Sequence, residues 1–329
     1  MNAFTPVTRI AVPLEIDAAA LRGGDPAAPI CAISGQTMGT TWQVQTVLPD
    51  GTDRAEEQAL QAEIQRLLDD LCSQMSHWDD QSELCRFNQA AAGSIVELSA
   101  AFADVIGCAL EIARKSEGAF DPAMGRVTDV WGLGPHPASG PPQNTAIAQA
   151  LRLSGWNRLG FDQQQAQLRQ PGGAWLDLSG IAKGYAADAV ADFLAERGIR
   201  HALVEIGGEL VGRGRRPDGD PWWVDVENPP GMNLAGLRIA LHQLAIATSG
   251  DYLRGAHTLD PRTGRPAVHD TTAVTVLHPR CMEADAWATA LSVVEVADAQ
   301  VLARRHDLAV RIVSRTGDEW LSPALEAML

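Results

Sequence analysis

Two neighbouring rows of apolar side chains run through residues 181–194: Ile181, Tyr185, Ala189 and Phe193 in one, Ala182, Ala186, Val190 and Leu194 in the other. An i, i+4 repeat of this length fits an α-helix, and two adjacent rows make a stripe too wide to be left in water. Whatever fold this chain adopts must therefore lay a sheet or further helices along that face. The helix is expected to start at Ser179-Gly180, directly after a strand at 175–178, and to continue to Gly198. A strand-to-helix turn aims free backbone N–H groups and the positive dipole end outward, which suits an anion, with Lys183 close by. An ordinary capped helix with a solvated lysine would show the same spacing. The segment is not a Walker A loop, because G-x-x-x-x-G-K-[ST] is absent.

The rest of the chain supplies the cover. Leu60, Ile64, Leu67, Leu68, Leu71 and Met75 predict an amphipathic helix over 56–75, and Ser99 caps a second helix carrying Phe102, Val105, Ile106, Ala109 and Ile112, which stops by Gly118. Strand-forming residues lie at 40–47 after a bend at 36–39, then at 202–206, 222–227, 237–247, 272–277 and 308–313. Residues 134–143 form a turn-rich loop. Strands and helices mix without a regular β-α-β rhythm, so the expected class is α+β rather than doubly wound. With 329 residues, 46% of them hydrophobic, the chain can build its core without disulfides or structural metals. Residues 1–30 read as a loosely held arm or edge strand, and 31–329 as one domain or two closely packed lobes.

Bulk charge narrows the partners. Forty-one acidic against 26 basic residues give a net charge of -15, which repels a nucleic-acid backbone while leaving a local phosphate site possible. Cys31, Cys72, Cys85, Cys108 and Cys281 are scattered, with no C-x-x-C pair and no zinc-ligand spacing. The opening residues lack a basic-then-apolar leader, and no run of apolar residues is long enough to span a bilayer. The expectation is a cytoplasmic protein without membrane insertion, although a removed leader would leave the same sequence.

Three further segments carry chemistry. In Glu283-Ala-Asp-Ala-Trp-Ala-Thr289, Asp285 and Thr289 stand four residues apart on a helix, so their oxygens share one face. One carboxylate with hydroxyl and carbonyl oxygens suits Mg²⁺, which keeps waters and takes other ligands from substrate phosphates. A first-turn acid serving the helix dipole is the equal alternative. His257-Thr-Leu-Asp-Pro-Arg-Thr-Gly-Arg-Pro266 places a histidine, a side chain matched to proton removal near neutral pH, just before strong turn chemistry; a surface donor is the plain alternative. Ile206-Gly207-Gly208-Glu209 reads as a glycine-bent strand that lets backbone approach closely, or as a simple bulge.

These segments, together with Thr37-Met38-Gly39-Thr40, Met75-Ser76-His77-Trp78, Ser82 to Asn88, Gly118-Ala119-Phe120-Asp121-Pro122, Val130-Trp131-Gly132-Leu133-Gly134 and Thr248-Ser249-Gly250-Asp251-Tyr252, resemble the ApbE family of FAD:protein FMN transferases in identity and order. The resemblance covers the chain from about Gly35 to Ser314. It implies an α+β fold of the tunnelling type (T-fold-like) and Mg²⁺-dependent transfer of FMN from FAD to a Ser or Thr hydroxyl of a target flavoprotein, with AMP released. By the same resemblance, FAD contacts fall on Met38, Trp78, Ala119, Phe120, Asp121, Asp177, Lys183 and Leu259, and the metal on Gly180, Asp285, Ala288 and Thr289. His257 is the preferred catalytic base, with Asp260 as its orienter or substitute. Two rivals share the sequence evidence: an FAD pyrophosphatase that uses water as nucleophile, and a non-catalytic FAD-binding protein.

Overall fold

The computed structural model describes residues 8–23, 26–49, 51–138, 140–251 and 258–329. In chain order the strands are β1 (Arg9–Ala11), β2 (Ile30–Thr37), β3 (Thr40–Val47), β4 (Ile95–Glu97), β5 (Gly160–Asp162), β6 (Gln167–Arg169), β7 (Ala202–Ile206) and β8 (Glu209–Arg213). They continue as β9 (Trp222–Val226), β10 (Leu237–Leu241), β11 (Leu244–Gly250), β12 (Leu259–Asp260), β13 (Arg265–Pro266), β14 (Thr271–His278), β15 (Ala309–Ser314) and β16 (Glu319–Leu321). The helices are α1 (Arg54–Met75), α2 (Glu83–Gln89), α3 (Ala100–Lys115), α4 (Gly125–Val130), α5 (Asn144–Leu153), α6 (Ala182–Glu196), α7 (Cys281–Val293), α8 (Val296–Arg305) and α9 (Pro323–Glu326).

An eight-stranded sheet in the order β16-β15-β14-β11-β8-β7-β3-β2 organises the molecule. Every neighbouring pair in it is antiparallel, so the class is α+β. Side chains of successive strand residues point to opposite faces, and the central strands use both. Ala245, Ala247, Val274 and Val276 enter the main core, shared with α1, α3, α6 and α7, while Ile246 and Leu277 enter a second core against β9, β10 and α9. Helices α6 and α7 lie against each other and on this sheet. The stripe of α6 is met as expected: Ala186, Val190 and Leu194 are fully covered.

Local signals explain the boundaries. The first helix begins in a capping box, where the Asp53 side chain accepts from Glu56 N and the Glu56 side chain from Asp53 N. Ser99 accepts from Phe102 N at the head of α3. Part of the N-terminal arm is an edge strand, β1, which runs parallel to β10.

Two expected strands differ. Residues 237–247 form β10 and β11, which belong to different sheets and are divided by a turn in which Gln243 has φ 50°. Residues 175–178 form no strand. Leu176 N bonds the Asn88 side chain at 2.8 Å, Asp177 N bonds Pro122 O at 2.8 Å, and Trp175 O accepts from Gly125 N at 2.9 Å. Loop and side-chain partners satisfy this backbone, which meets the same requirement as a sheet ladder. The result is a structural strut between the 118–125 segment and the start of α6.

Candidate active site

The cleft is assembled from turns that glycine makes possible. Between β2 and β3, Met38 has φ 48° and Gly39 φ 71°, a tight hairpin that places Met38 at its tip and packs it on the main core. Between β7 and β8, Gly207 has φ 60° and Gly208 φ 102°, so the glycine pair is a hairpin turn rather than a bulge. A Cβ on Gly207 would lie 2.8 Å from Thr40 Cγ2 and 3.4 Å from Lys183 Cδ, and Gly207 N donates to Thr41 O at 3.1 Å. The two hairpins and the Lys183 stem thus close on one another.

Lys183 sits in the first turn of α6, and its ammonium is ion-paired to Glu209 Oε1. Glu209 is buried, and its other oxygen has no hydrogen-bond partner. Burial first, then the negative charge of Asp285, pushes the Glu209 carboxyl up to about 8, against the pull of Lys183. Burial opposes the charge on Lys183, but the Asp285 and Glu209 carboxylates outweigh it and raise its pKa. Burial likewise raises Asp285, which is 4% exposed. Asp285 and Glu209 crowd one ammonium, and a cation seated beside them would favour their charged forms.

Asp285 and Thr289 occupy one face of α7, as their spacing predicts. Asp285 Oδ2 accepts from Gly184 N at 3.0 Å, and the Ser249 and Thr289 hydroxyls lie 3.4 Å apart. Gly180 fits against Thr289 so closely that a Cβ there would stand 2.7 Å from Thr289 Oγ1. Gly180, Asp285 and Thr289 therefore converge, and Ala288 is buried beside them. Among the described residues no group of three or more His, Cys, Asp or Glu side chains is placed to hold a metal. The oxygens present are one carboxylate with hydroxyl and backbone donors, a set that fits a hard, partly hydrated cation.

The start of α6 departs from expectation. Asp177 Oδ1 accepts Ser179 N at 2.9 Å, Leu178 O accepts Ile181 N at 3.1 Å and Ala182 N at 2.9 Å, and Asp285 takes Gly184 N. Most donors expected to face an anion are therefore satisfied internally. Charge, rather than a row of free N–H groups, is what this end of the cleft offers a phosphate.

Asp177 joins the remaining pieces. Its Oδ2 accepts the Thr128 hydroxyl at 2.5 Å, and its Oδ1 lies 4.0 Å from His77 Nδ1. Next to His77, Trp78 is 67% exposed, an unusually open indole, and the two rings meet with centroids 5.5 Å apart. Ala119 and Phe120 are buried under the loop that carries Asp121. Leu259 packs with Met124, Val127 and Trp131, and Trp131 Nε1 donates to Gly264 O at 2.7 Å. Asp260 is held by Arg262 through both oxygens, at 2.9 and 3.1 Å, and its carbonyl accepts Gly264 N. It anchors a turn. His257 lies outside the described residues.

Burial raises the Asp121 carboxyl from 3.8 to about 6, while bonds from Ala123 N and Trp156 N pull it back. The folded state therefore holds this proton more tightly than the unfolded chain. Its stabilising contribution is complete below about pH 4 and is lost as pH rises through about 6, a difference of ~1–3 kcal/mol. In the absence of flavin, Asp121→Asn is expected to resist urea better than the parent at pH 7.5, with the two converging near pH 4. Parallel curves at both pH values would contradict this.

Sequence reasoning missed Glu209 as the partner of Lys183, and Ser249 as the neighbour of Thr289. The glycine pair draws notice to the segment of Glu209, and the likeness to flavin transferases to that of Ser249, but neither reading names the contact.

The fold and these residues define an antiparallel α+β protein with an exposed indole at Trp78 and a buried acidic, lysine-containing cluster at Lys183. The chain belongs to the ApbE family, whose model matches residues 38–312. Similar proteins include the FAD:protein FMN transferase of Klebsiella pneumoniae, 35% identical over 92% of this chain and 91% of that one, and that of Haemophilus influenzae, 35% identical over 91% and 90%. Among solved structures, the flavin transferase ApbE of Vibrio cholerae superposes with a TM-score of 0.85 at 34% identity, covering 92% of this chain and all of that one. The apo flavinyl transferase ApbE of Pseudomonas stutzeri gives 0.84 at 31% identity over 92% and 98%.

Proposed function

We propose that this protein is an FAD:protein FMN transferase, which moves the FMN half of FAD onto a Ser or Thr hydroxyl of a target flavoprotein and releases AMP. The observation that carries this reading is the convergence of Gly180, Asp285 and Thr289 beside Lys183, in a chain 35% identical to proteins bearing that name. Trp78 would offer its exposed face to the isoalloxazine, and Met38, at the tip of the β2–β3 hairpin, is a second flavin contact of this reading. By this reading Ala119, Phe120, Asp121 and Asp177 would complete the contacts to FAD, with Leu259 near the adenosine, and the FAD site would lie between two closely packed lobes.

Mg²⁺ would be held by Asp285, Thr289 and the carbonyls of Gly180 and Ala288, where it supplies positive charge against the diphosphate. Lys183 adds a fixed cation whose position Glu209 sets. His257 takes the proton from the attacking hydroxyl, and Asp260, tied to Arg262, fixes the turn that follows it.

Co-expression of this chain with candidate flavoproteins, followed by mass spectrometry, should reveal an acceptor heavier by one FMN. The purified acceptor, FAD and Mg²⁺ should then give AMP and labelled acceptor in equal amounts. AMP with free FMN and unlabelled acceptor would make the protein a pyrophosphatase instead. Tight FAD binding without turnover in any metal would leave only a binding protein.

A further inference from the structure

Beside Thr289 lies a narrow recess whose lining includes Ser249, Asp251, Thr258, His269, Thr271 and Arg315. Two of its neighbours join it to the metal-holding residues: the Ser249 hydroxyl is 3.4 Å from Thr289 Oγ1, and the Ser292 hydroxyl donates to Thr289 O at 2.8 Å. The charged groups in it are already occupied. Asp251 accepts the Thr272 hydroxyl at 3.0 Å and is paired with Arg315, whose Nε also donates to His269 O at 3.0 Å.

What is left is unspent hydrogen-bonding capacity. Thr271 is 5% exposed and its hydroxyl has no partner; both ring nitrogens of His269 are buried and equally unpartnered. A register shift in β14 between Thr271 and Ala273 permits the successive residues Thr271 and Thr272 both to line the recess instead of facing opposite sides. Buried polar groups without partners are rare in folded proteins and call for an occupant.

We propose that this recess is a subsite for the acceptor polypeptide, taking a backbone amide next to the modified Ser or Thr. An amide offers one donor and one acceptor, which match a hydroxyl and an imidazole. The FAD diphosphate is a poor match, since it is anionic and the recess offers no unpaired cation among the described residues. The position also suits the acceptor, because the recess adjoins the residues that would hold the metal, through Ser249 and Ser292 against Thr289. This proposal rests on the transferase reading.

The test uses the acceptor labelled in the co-expression experiment, purified unmodified. Thr271→Val removes the hydroxyl with little change of shape. The acceptor KM is expected to rise about tenfold, as for loss of one buried hydrogen bond, while the FAD KM stays within about twofold. His269→Ala should act in the same direction, and Thr271→Ser should restore the acceptor KM. Thermal melting checks that each variant is folded, and His269→Ala decides the question if Thr271→Val is not. An unchanged acceptor KM, or equal losses toward acceptor and FAD, overturns the subsite and leaves the transferase reading intact. If the parent protein labels no acceptor, the transferase reading itself fails, and the subsite with it.

Discussion

Asp285→Asn should lower FMN transfer by about 10²–10³-fold, comparable with removal of one preorganised electrostatic group from an active site. Asp285 is buried, it is the only carboxylate that converges with Gly180 and Thr289 among the described residues, and it is one of the two acids that face Lys183. Asparagine keeps an oxygen for Gly184 N, so the helix contact survives while the charge is lost. The loss should be read as AMP release at saturating FAD, with the Mg²⁺ requirement shifted to much higher concentration. A variant within about threefold of the parent at every Mg²⁺ concentration would remove Asp285 from the mechanism, because so small a change is near 0.7 kcal/mol.

Gly184→Ala should destabilise the fold strongly. A Cβ at that position would lie 2.4 Å from Cys281 O and 2.8 Å from Asp285 Cβ, and neither of these is the movable end of a long side chain. Helices α6 and α7 would have to separate, at a cost of ~2–4 kcal/mol by analogy with overpacked cores. Urea unfolding should show the midpoint move down with little change in slope. The variant should also lose activity, because the displaced helix carries Asp285. Full stability would mean that the two helices are less tightly joined than their geometry indicates.

The parts of this molecule legible in its sequence are those whose signals are local. Helices α1 and α3 announce themselves through apolar spacing, and α3 also through Ser99, whose side chain closes the first turn. The residues at 175–178 misled because alternating Leu176 and Leu178 look like a strand, whereas the side chain of Asn88 and the carbonyl of Pro122 complete their hydrogen bonding. No local pattern encodes partners so distant. The break between β10 and β11 falls at His242 and Gln243, which carry none of the usual turn chemistry.

The site divides the same way. Asp285 and Thr289 share a helix, so their common face follows from spacing. Gly180 meets Thr289, and Lys183 meets Glu209, only through tertiary packing. The ordered likeness to flavin transferases pointed to Gly180 and Lys183, but nothing local identified Glu209.

The placement of β3 has a consequence for biosynthesis. One of its neighbours, β2, is adjacent in sequence, but the other is β7, with Trp42 opposite Ile206. A nascent chain therefore carries an early hairpin whose outer row of amide and carbonyl groups waits unpaired until translation has passed residue 206. Such long-range closure slows folding and exposes a sticky border on the ribosome. The same late strand leads into the Gly207-Gly208 turn, so the cleft cannot exist before the sheet is sealed.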